Sequence, residues 1–335
     1  MGLQDELYDV IIIGGSYAGL SAALTLYRAT HTCLIFDSGD PRNALSTQTR
    51  LTSGWENEEP QKLREASRTE LQNSGLVQFV SRTVRSTSKN QDGTFDVVDE
   101  EQAIWKGRKI LLATGVKETY PDIEGYAENY GTSIYYCMFC FGYELRGSST
   151  AGLLAIGVLA NPMHALTNAR DAQKFVDSVT IYTDGNPSLA GELSGKLDEG
   201  MRIDDRKIRR LHKSQDDKGI HIELNDGEKV ALAFIVHKPD LQVDTTLPAQ
   251  LGCECVPGFG IKVNPPFNST SVDGVFAAGD CCSPLRMIPN AMSMGSFAGC
   301  GLARELPRRK HEGPKDVPVQ KRSDGLVGQQ AMVES

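Results

Sequence analysis

The stretch Tyr8-Asp9-Val10-Ile11-Ile12-Ile13-Gly14-Gly15-Ser16-Tyr17-Ala18-Gly19 decides the fold. Residues 8–13 are rich in β-branched side chains and contain no turn former, the pattern of a parallel strand buried on both faces. The glycine-rich loop follows at once. Residues 20–29 then read as a helix, with small residues on the face that must meet a sheet. Cys33-Leu34-Ile35-Phe36-Asp37 is a second strand ending in an acid. Together these make a βαβ unit, the context a glycine fingerprint requires. A turn this tight excludes bulky side chains, and backbone N–H groups at the helix start can hold a pyrophosphate. The full fingerprint is Gly-x-Gly-x-x-Gly; Ser16 stands where its second glycine would be. Gly14, Gly15, Ser16, Ala18 and Gly19 are the candidate binding residues. Asp37 can accept a hydrogen bond from a ribose hydroxyl and would repel a 2′-phosphate, so the site suits FAD or NAD rather than NADP.

Outward from this unit, 335 residues allow two domains with a sizeable core in each. The net charge of −8 argues against nucleic acid as a partner. The one dense basic run, Arg308-Arg309-Lys310-His311, reads as a solvated helix end at the head of a polar tail. The longest apolar stretch, residues 151–160, is far short of the ~20 residues that span a bilayer. The N-terminal residues show neither the basic region nor the apolar region of a secretory signal. The expectation is a cytoplasmic protein with no membrane partner. Eight cysteines in such a chain suggest reduced thiols rather than a disulfide framework. Cys137 and Cys140 alone have redox spacing. No His or second CxxC lies at zinc-finger distance from any cysteine, so no metal is expected.

Residues 59–74 read as a helix. Residues 77–84 and 95–98 alternate like antiparallel strands around an Asp92-Gly93 turn. Residues 109–113 form a buried strand ending at Thr114-Gly115. A second nucleotide-binding-like unit starts near 151, with a strand over 152–159, a helix over 163–176 and a strand over 179–182. The fold class expected is α/β, with two Rossmann-like (two-dinucleotide-binding) domains, the central one inserted into the FAD domain. Residues 1–117 and 247–310 form the FAD-binding domain. Residues 118–246 form a degenerate NAD(P)H-type domain that carries the CxxC. Residues 311–335 are expected to be a disordered tail.

The stretch Thr270-Ser271-Val272-Asp273-Gly274-Val275-Phe276-Ala277-Ala278-Gly279-Asp280 is more specific than the first loop. An apolar strand runs into Gly279, where the backbone can approach a cofactor, and Asp280 can accept a hydroxyl hydrogen bond from a ribityl chain. Ala113-Thr114-Gly115 supplies a further element, with Thr114 and Gly115 as candidates. Cys137-Met138-Phe139-Cys140 lies between these halves. Two thiols at this spacing close and open a small disulfide ring, a two-electron store beside a flavin site.

In this order the motifs resemble the low-molecular-weight thioredoxin reductases over roughly residues 6–306. Within them the chain is most similar to the FAD-dependent dithiol oxidases of epidithiodiketopiperazine (gliotoxin-type) biosynthesis. Cys137-Met138-Phe139-Cys140-Phe141-Gly142-Tyr143-Glu144 and the run from Leu154 through Ala160-Asn161-Pro162-Met163-His164-Ala165 carry that likeness. The resemblance implies FAD as cofactor, adds Arg42 and Asn43 and, over the flavin, Asn290 as binding residues, and implies a homodimer. It places Cys140 against the flavin and Cys137 toward the substrate. Two departures matter. The central loop reads Gly157-Val158-Leu159-Ala160-Asn161-Pro162, with Leu159 where a reductase needs glycine. Asp184 faces the place where a reductase keeps the cationic pair that binds a 2′-phosphate. NADPH binding is therefore expected to be lost. Phe141 occupies the place of the family's acid/base, which leaves Glu144 and His164 as candidate proton carriers.

The expected activity is oxidation of a small-molecule dithiol to a disulfide, with molecular oxygen as final acceptor. Tyr135, Tyr136, Met138, Phe139 and Phe141 suit a small apolar substrate, with two or three of them packing the core. The rival readings are an NADPH-dependent thioredoxin reductase and a non-catalytic redox-sensing flavoprotein. Without nicotinamide chemistry to serve, the two domains are expected to keep one fixed arrangement.

Overall fold

A computed structural model describes residues 6–214 and 219–307. The basic run at 308–311 and the expected tail lie outside the described residues. The chain begins with β1 (Leu7–Ile13), α1 (Tyr17–Arg28), β2 (Cys33–Phe36), α2 (Pro60–Asn73), β3 (Val77–Val80), β4 (Val84–Lys89), β5 (Phe95–Asp99) and β6 (Ile104–Leu112). Next come β7 (Lys117–Thr119), α3 (Tyr126–Asn129), β8 (Ile134–Tyr135), α4 (Met138–Leu145), β9 (Ser148–Leu154), α5 (Pro162–Gln173), β10 (Val176–Tyr182), α6 (Pro187–Ser194) and β11 (Met201–Asp204). Then follow β12 (Ile208–Lys213), β13 (Ile220–Leu224), β14 (Lys229–Leu232), β15 (Phe234–Val236), β16 (Asp240–Gln242) and α7 (Thr246–Leu251). The last elements are β17 (Cys255–Val256), β18 (Gly260–Ile261), β19 (Val275–Ala277) and α8 (Ile288–Glu305).

A seven-stranded sheet runs β3-β2-β1-β6-β5-β4, and β19 pairs with β6. One edge of β6 serves two partners in turn. Its first half pairs antiparallel with β5 (Val98↔Ile104), and its last residues pair parallel with β19 (Val275↔Ile110). A strand from residue 275 thus ends level with β1 and β6, which is how Gly279-Asp280 reaches the first glycine loop. The sheet is buried on both faces. On one face α8 lies against α1 at close range. A Cβ on Gly295 would stand 2.1 Å from the Ala18 carbonyl oxygen, so only glycine allows the approach.

The second sheet, β11-β10-β9-β15-β8, pairs in parallel throughout. Both of its faces are covered by apolar side chains, which explains the near-continuous apolar run of β9 and β10. The chain crosses between the two sheets twice, and the crossings pair with each other as β7 and β16 (Leu241↔Glu118).

Three sequence expectations need correction. Residues 77–84 are two strands: β3 joins β2 in parallel (Cys33↔Val77), and the hairpin partner of β5 is β4 (Thr87↔Val97). Alternation has the same period in both settings, so it could not reveal which neighbour each half takes. The strand expected over 152–159 stops at Leu154, and residues 157–159 turn as a short 3₁₀ helix. The helix expected to reach Val176 ends at Gln173, and Val176 opens β10.

One buried charge anchors the β4–β5–β6 region. The Asp99 carboxylate is 0 % exposed and accepts hydrogen bonds from Arg82 Nη1 (2.9 Å), Trp105 Nε1 (3.0 Å) and the backbone N–H groups of Glu101 and Ala103 (both 2.9 Å). Burial opposes its ionisation, but these donors outweigh burial and hold its pKa below the ordinary carboxylate range. A carboxyl depressed on folding contributes stability that is present above the unfolded pKa, about 4, and is lost as pH falls through the folded value. Asp99→Asn puts an amide donor against this set of donors. Chemical denaturation at neutral pH should show a loss of ~2–3 kcal/mol, and the variant should lose less stability than wild type on acidification. An unchanged midpoint would contradict this account.

Candidate active site

The first glycine loop forms because β1 is paired on both sides, with β2 and β6, up to its last residue. Gly14 then turns with φ +121°, and a Cβ there would lie 2.1 Å from the Ala113 carbonyl oxygen. Ser16 is the N-cap of α1 with φ −100°, extended backbone that any residue adopts, which is why serine is tolerated where the fingerprint has glycine. Among the described residues no side chain caps this helix start, so its positive end is open to an anion. Gly19 packs beneath the loop: a Cβ on it would stand 2.0 Å from the Gly14 carbonyl oxygen.

The loop borders a cavity of about 730 Å³. Gly14, Gly15, Ser16, Ala18, Asp37, Arg42, Asn43, Thr114, Gly115, Gly279 and Asp280 all stand on its wall, together with Cys137 and Cys140. Residues 266 apart in sequence, Gly14 and Asp280, therefore meet at one surface.

Several partners on this wall were not legible in the sequence. Asp37 accepts from the Gly39 N–H at 3.0 Å, and its other oxygen is bound by Arg68 Nη1. Arg68 is itself stacked 4.2 Å over the Phe79 ring. The acid expected to repel a 2′-phosphate thus has a cation beside it. Arg42 Nη1 binds Asp280 Oδ2 at 2.7 Å, Arg42 Nε binds Glu118 at 3.0 Å, and the guanidinium lies 5.2 Å over the Tyr136 ring. Burial works against this charge, but Asp280, Tyr136 and Glu118 outweigh burial and keep the guanidinium protonated beyond its ordinary range. Asn43 donates to Tyr17 Oη (3.1 Å) and accepts from Arg64 (3.0 Å). The Tyr130 hydroxyl, on the same wall, is buried without a hydrogen-bond partner among the described residues. A buried orphan hydroxyl, an uncapped helix start and a cavity of this size fit a bound dinucleotide.

Cys137 and Cys140 form a disulfide with Cα atoms 5.3 Å apart. Cys137 is the N-cap of α4, so the pair sits at the positive end of that helix, which favours thiolate over thiol. Phe141 joins the wall with its ring 4.8 Å from Tyr135 and 5.9 Å from Tyr136. Of the five apolar side chains expected around the pair, Met138 is buried and Phe139 is exposed.

Besides Gly19, which packs beneath the loop, three candidates are not on the wall. Glu144 is ion-paired with Arg50 at 3.1 Å; Arg50 reaches the cavity, but Glu144 does not. His164 is held on α5 by a 3.0 Å contact between Nδ1 and the Val158 carbonyl oxygen. The Asn290 amide donates to Ser283 Oγ (3.2 Å) and to the Leu285 carbonyl (2.6 Å), and its neighbours Ile288 and Ala291 line the cavity instead.

The start of α5 contrasts with that of α1. The Asn161 side chain accepts from the N–H groups of Met163 (3.0 Å) and His164 (3.3 Å). Its carbonyl accepts from Ala165 (2.8 Å), and Pro162 has no N–H. The donors that could grip a pyrophosphate are used within the helix. Asn followed by Pro at a helix start is the sequence signal that could have found this cap. Leu159 is 1 % exposed in the core of the second sheet, and Asp184 accepts from the Ile208 N–H at 2.7 Å. Among the described residues, no helix is long and apolar enough to cross a membrane.

Residues 8–295 match the family model described as pyridine nucleotide-disulphide oxidoreductase. The chain is 38 % identical to "Thioredoxin reductase aclD" of Aspergillus oryzae, over 90 % of this chain and 96 % of that protein. It is 39 % identical to "Thioredoxin reductase tcpT" of Claviceps purpurea, over 88 % of this chain and 92 % of the relative. Among solved structures, an oxidoreductase from Agrobacterium tumefaciens superposes with a TM-score of 0.78 at 29 % identity, covering 89 % of this chain and 98 % of that one. Thioredoxin reductase-type members of this family are FAD-binding flavoproteins, and the cavity wall fits that cofactor. With its two Rossmann-like sheets, its glycine loop and its CxxC on one cavity, the chain belongs to the pyridine nucleotide-disulphide oxidoreductase family as a thioredoxin reductase-like, FAD-dependent oxidoreductase.

Proposed function

We propose that the protein is a dithiol oxidase that closes an intramolecular disulfide in a small-molecule dithiol, of the gliotoxin-type kind that the resemblance implies. One observation carries the reading: the Cys137–Cys140 disulfide opens on the cavity of the first glycine loop, while the second nucleotide loop ends in a helix capped by its own Asn161.

In this reading a substrate thiolate attacks Cys137 Sγ, breaks the Cys137–Cys140 bond and releases Cys140 as thiolate. The second substrate thiol attacks the substrate sulfur of the mixed disulfide, which frees Cys137 and closes the product ring. Two electrons and two protons thus pass from substrate to the cysteine pair. FAD, when bound, would supply the two-electron acceptor for the reduced cysteine pair, with molecular oxygen as the final acceptor. Gly14, Gly15, Ser16, Ala18, Asp37, Arg42, Asn43, Thr114, Gly115, Gly279 and Asp280 would hold the cofactor, and Gly19 would support the loop from below. Residues 1–117 with 247–310 form the cofactor unit, residues 118–246 present the cysteine pair, and two copies associate as a homodimer.

The test is oxygen consumption by the purified yellow protein given a small dithiol in air without NADPH. Uptake of oxygen with release of hydrogen peroxide over many turnovers is expected. Turnover that requires NADPH, with thioredoxin as acceptor, would overturn the reading in favour of a reductase.

A further inference from the structure

Exchange between a thiol and a disulfide runs through the thiolate, so near neutral pH a group that takes the proton of the attacking thiol and later returns one speeds it. Phe141 cannot do this. Glu144 is engaged by Arg50, and His164 stands off the cavity. Other charged or titratable groups near the pair include Arg42, Glu118, Asp280, Tyr130, Tyr135, Tyr136, His237 and Lys238, while Arg50 and Arg286 on the same cavity are guanidinium cations with no proton to give. Glu118 and Asp280 are both ion-paired with Arg42. Burial pushes the Tyr130, Tyr135 and Tyr136 hydroxyls up, away from neutral pH. His237 is 2 % exposed with Nδ1 on Tyr126 Oη at 2.6 Å, and burial lowers it to about 4, so it is neutral near pH 7 and shut off from water.

Lys238 differs from all of these. Strand β15 runs parallel to β8 with Val236 opposite Tyr135, and the His237 N–H donates to the Tyr135 carbonyl at 3.1 Å. The two chains leave their strands side by side, one toward Cys137 and the other toward Lys238, and both residues reach the cavity wall. Among the described residues, the Lys238 ammonium has no hydrogen bond and no carboxylate within ion-pair distance. Asp171, the acid whose charge acts on it, is ion-paired with Lys174 at 2.7 Å. Lys238 is also exposed, so it can exchange protons with water.

We propose that Lys238 is the proton carrier for thiol–disulfide exchange at Cys137 and Cys140, the role for which Phe141 has no group. Its neutral amine takes the proton of the incoming thiol as that sulfur bonds to Cys137 Sγ and the Cys137–Cys140 bond breaks. The resulting ammonium then faces the Cys140 thiolate and can protonate it. Overall, one dithiol and one cysteine disulfide become one substrate disulfide and two cysteine thiols, with no proton unaccounted for. Burial along part of its length lowers Lys238 below the ordinary amine range, against a smaller opposing effect of Asp171. The assignment rests on the proposed entry of a substrate thiol at this disulfide, and it requires no particular final electron acceptor.

The experiment is anaerobic reduction of the Cys137–Cys140 disulfide by dithiothreitol, followed by alkylation and mass measurement across pH. Lys238→Met should slow the reaction about 10²-fold near pH 7, the size usual for lost acid–base catalysis. The gap should close toward high pH, where dithiothreitol ionises by itself. Lys238→Arg, which keeps the charge but cannot give up its proton, should stay slow while its reduced cysteines alkylate with wild-type pH dependence. Yellow colour and circular dichroism check that each variant is folded, and Lys238→Gln replaces Lys238→Met if the latter is not. A folded variant whose rate follows the wild-type profile at every pH would overturn the assignment. This half-reaction is measured without oxygen or NADPH. A shifted profile in an enzyme that consumes no oxygen would keep Lys238 and sink only the oxidase reading.

Discussion

Cys140→Ser is expected to leave a yellow, folded protein whose dithiol turnover falls by at least about 10³-fold, because a nucleophile and its partner sulfur act as a unit. Cys137→Ser should lose as much. The two variants should nonetheless differ in what they trap. With Cys140 replaced, Cys137 is left as a lone thiol at the N-cap of α4, where the helix dipole favours its thiolate. It should form a stable mixed disulfide with an oxidised small thiol, visible as added mass. With Cys137 replaced, Cys140 remains on the cavity but has no partner through which to exchange. Both sulfurs line the wall shared with Gly14 and Asp280, and neither sits in an apolar core cluster, so the fold should survive. Activity above one-hundredth of wild type in either variant would remove the relay from the mechanism.

The second large effect is expected for Gly14→Ala. The position has φ +121°, outside what an L side chain readily adopts, and the new Cβ would stand 2.1 Å from the Ala113 carbonyl oxygen. Neither backbone can yield. The Gly14 N–H donates to the Phe36 carbonyl at 2.9 Å, and the Ala113 N–H donates to the Ile13 carbonyl at 2.8 Å. Both strands are thus held to the last residue by the central ladder of the sheet. Relief would require breaking those bonds or opening the loop, at a cost of about 3 kcal/mol or more. Colourless protein with a lowered unfolding midpoint is the expected outcome. Gly39→Ala is the control: its φ is +76°, but a Cβ there meets nothing within 4 Å, so the loss should stay near 1 kcal/mol with colour retained. Equal FAD content in the two variants would show that the Gly14 turn does not matter for binding.

The sequence by itself determined the elements whose signal is local. The β1–loop–α1–β2 unit, the run into Gly279-Asp280 and the CxxC spacing each lie within a few tens of residues. Their periodicity and turn residues suffice to read them. The tertiary structure decided which of these meet, and with what. Only the sheet order shows β3 leaving the expected hairpin for β2, because a period of two is the same whichever neighbour pairs. Only the β6 edge, shared between β5 and β19, carries residue 280 to residue 14. Arg68 on Asp37, Arg42 on Asp280, Arg50 on Glu144, and Lys238 on the same cavity as Cys137, join residues far apart in the chain or on separate strands. Nothing in the local pattern of a surface arginine or lysine says which distant carboxylate or sulfur the fold will bring to it.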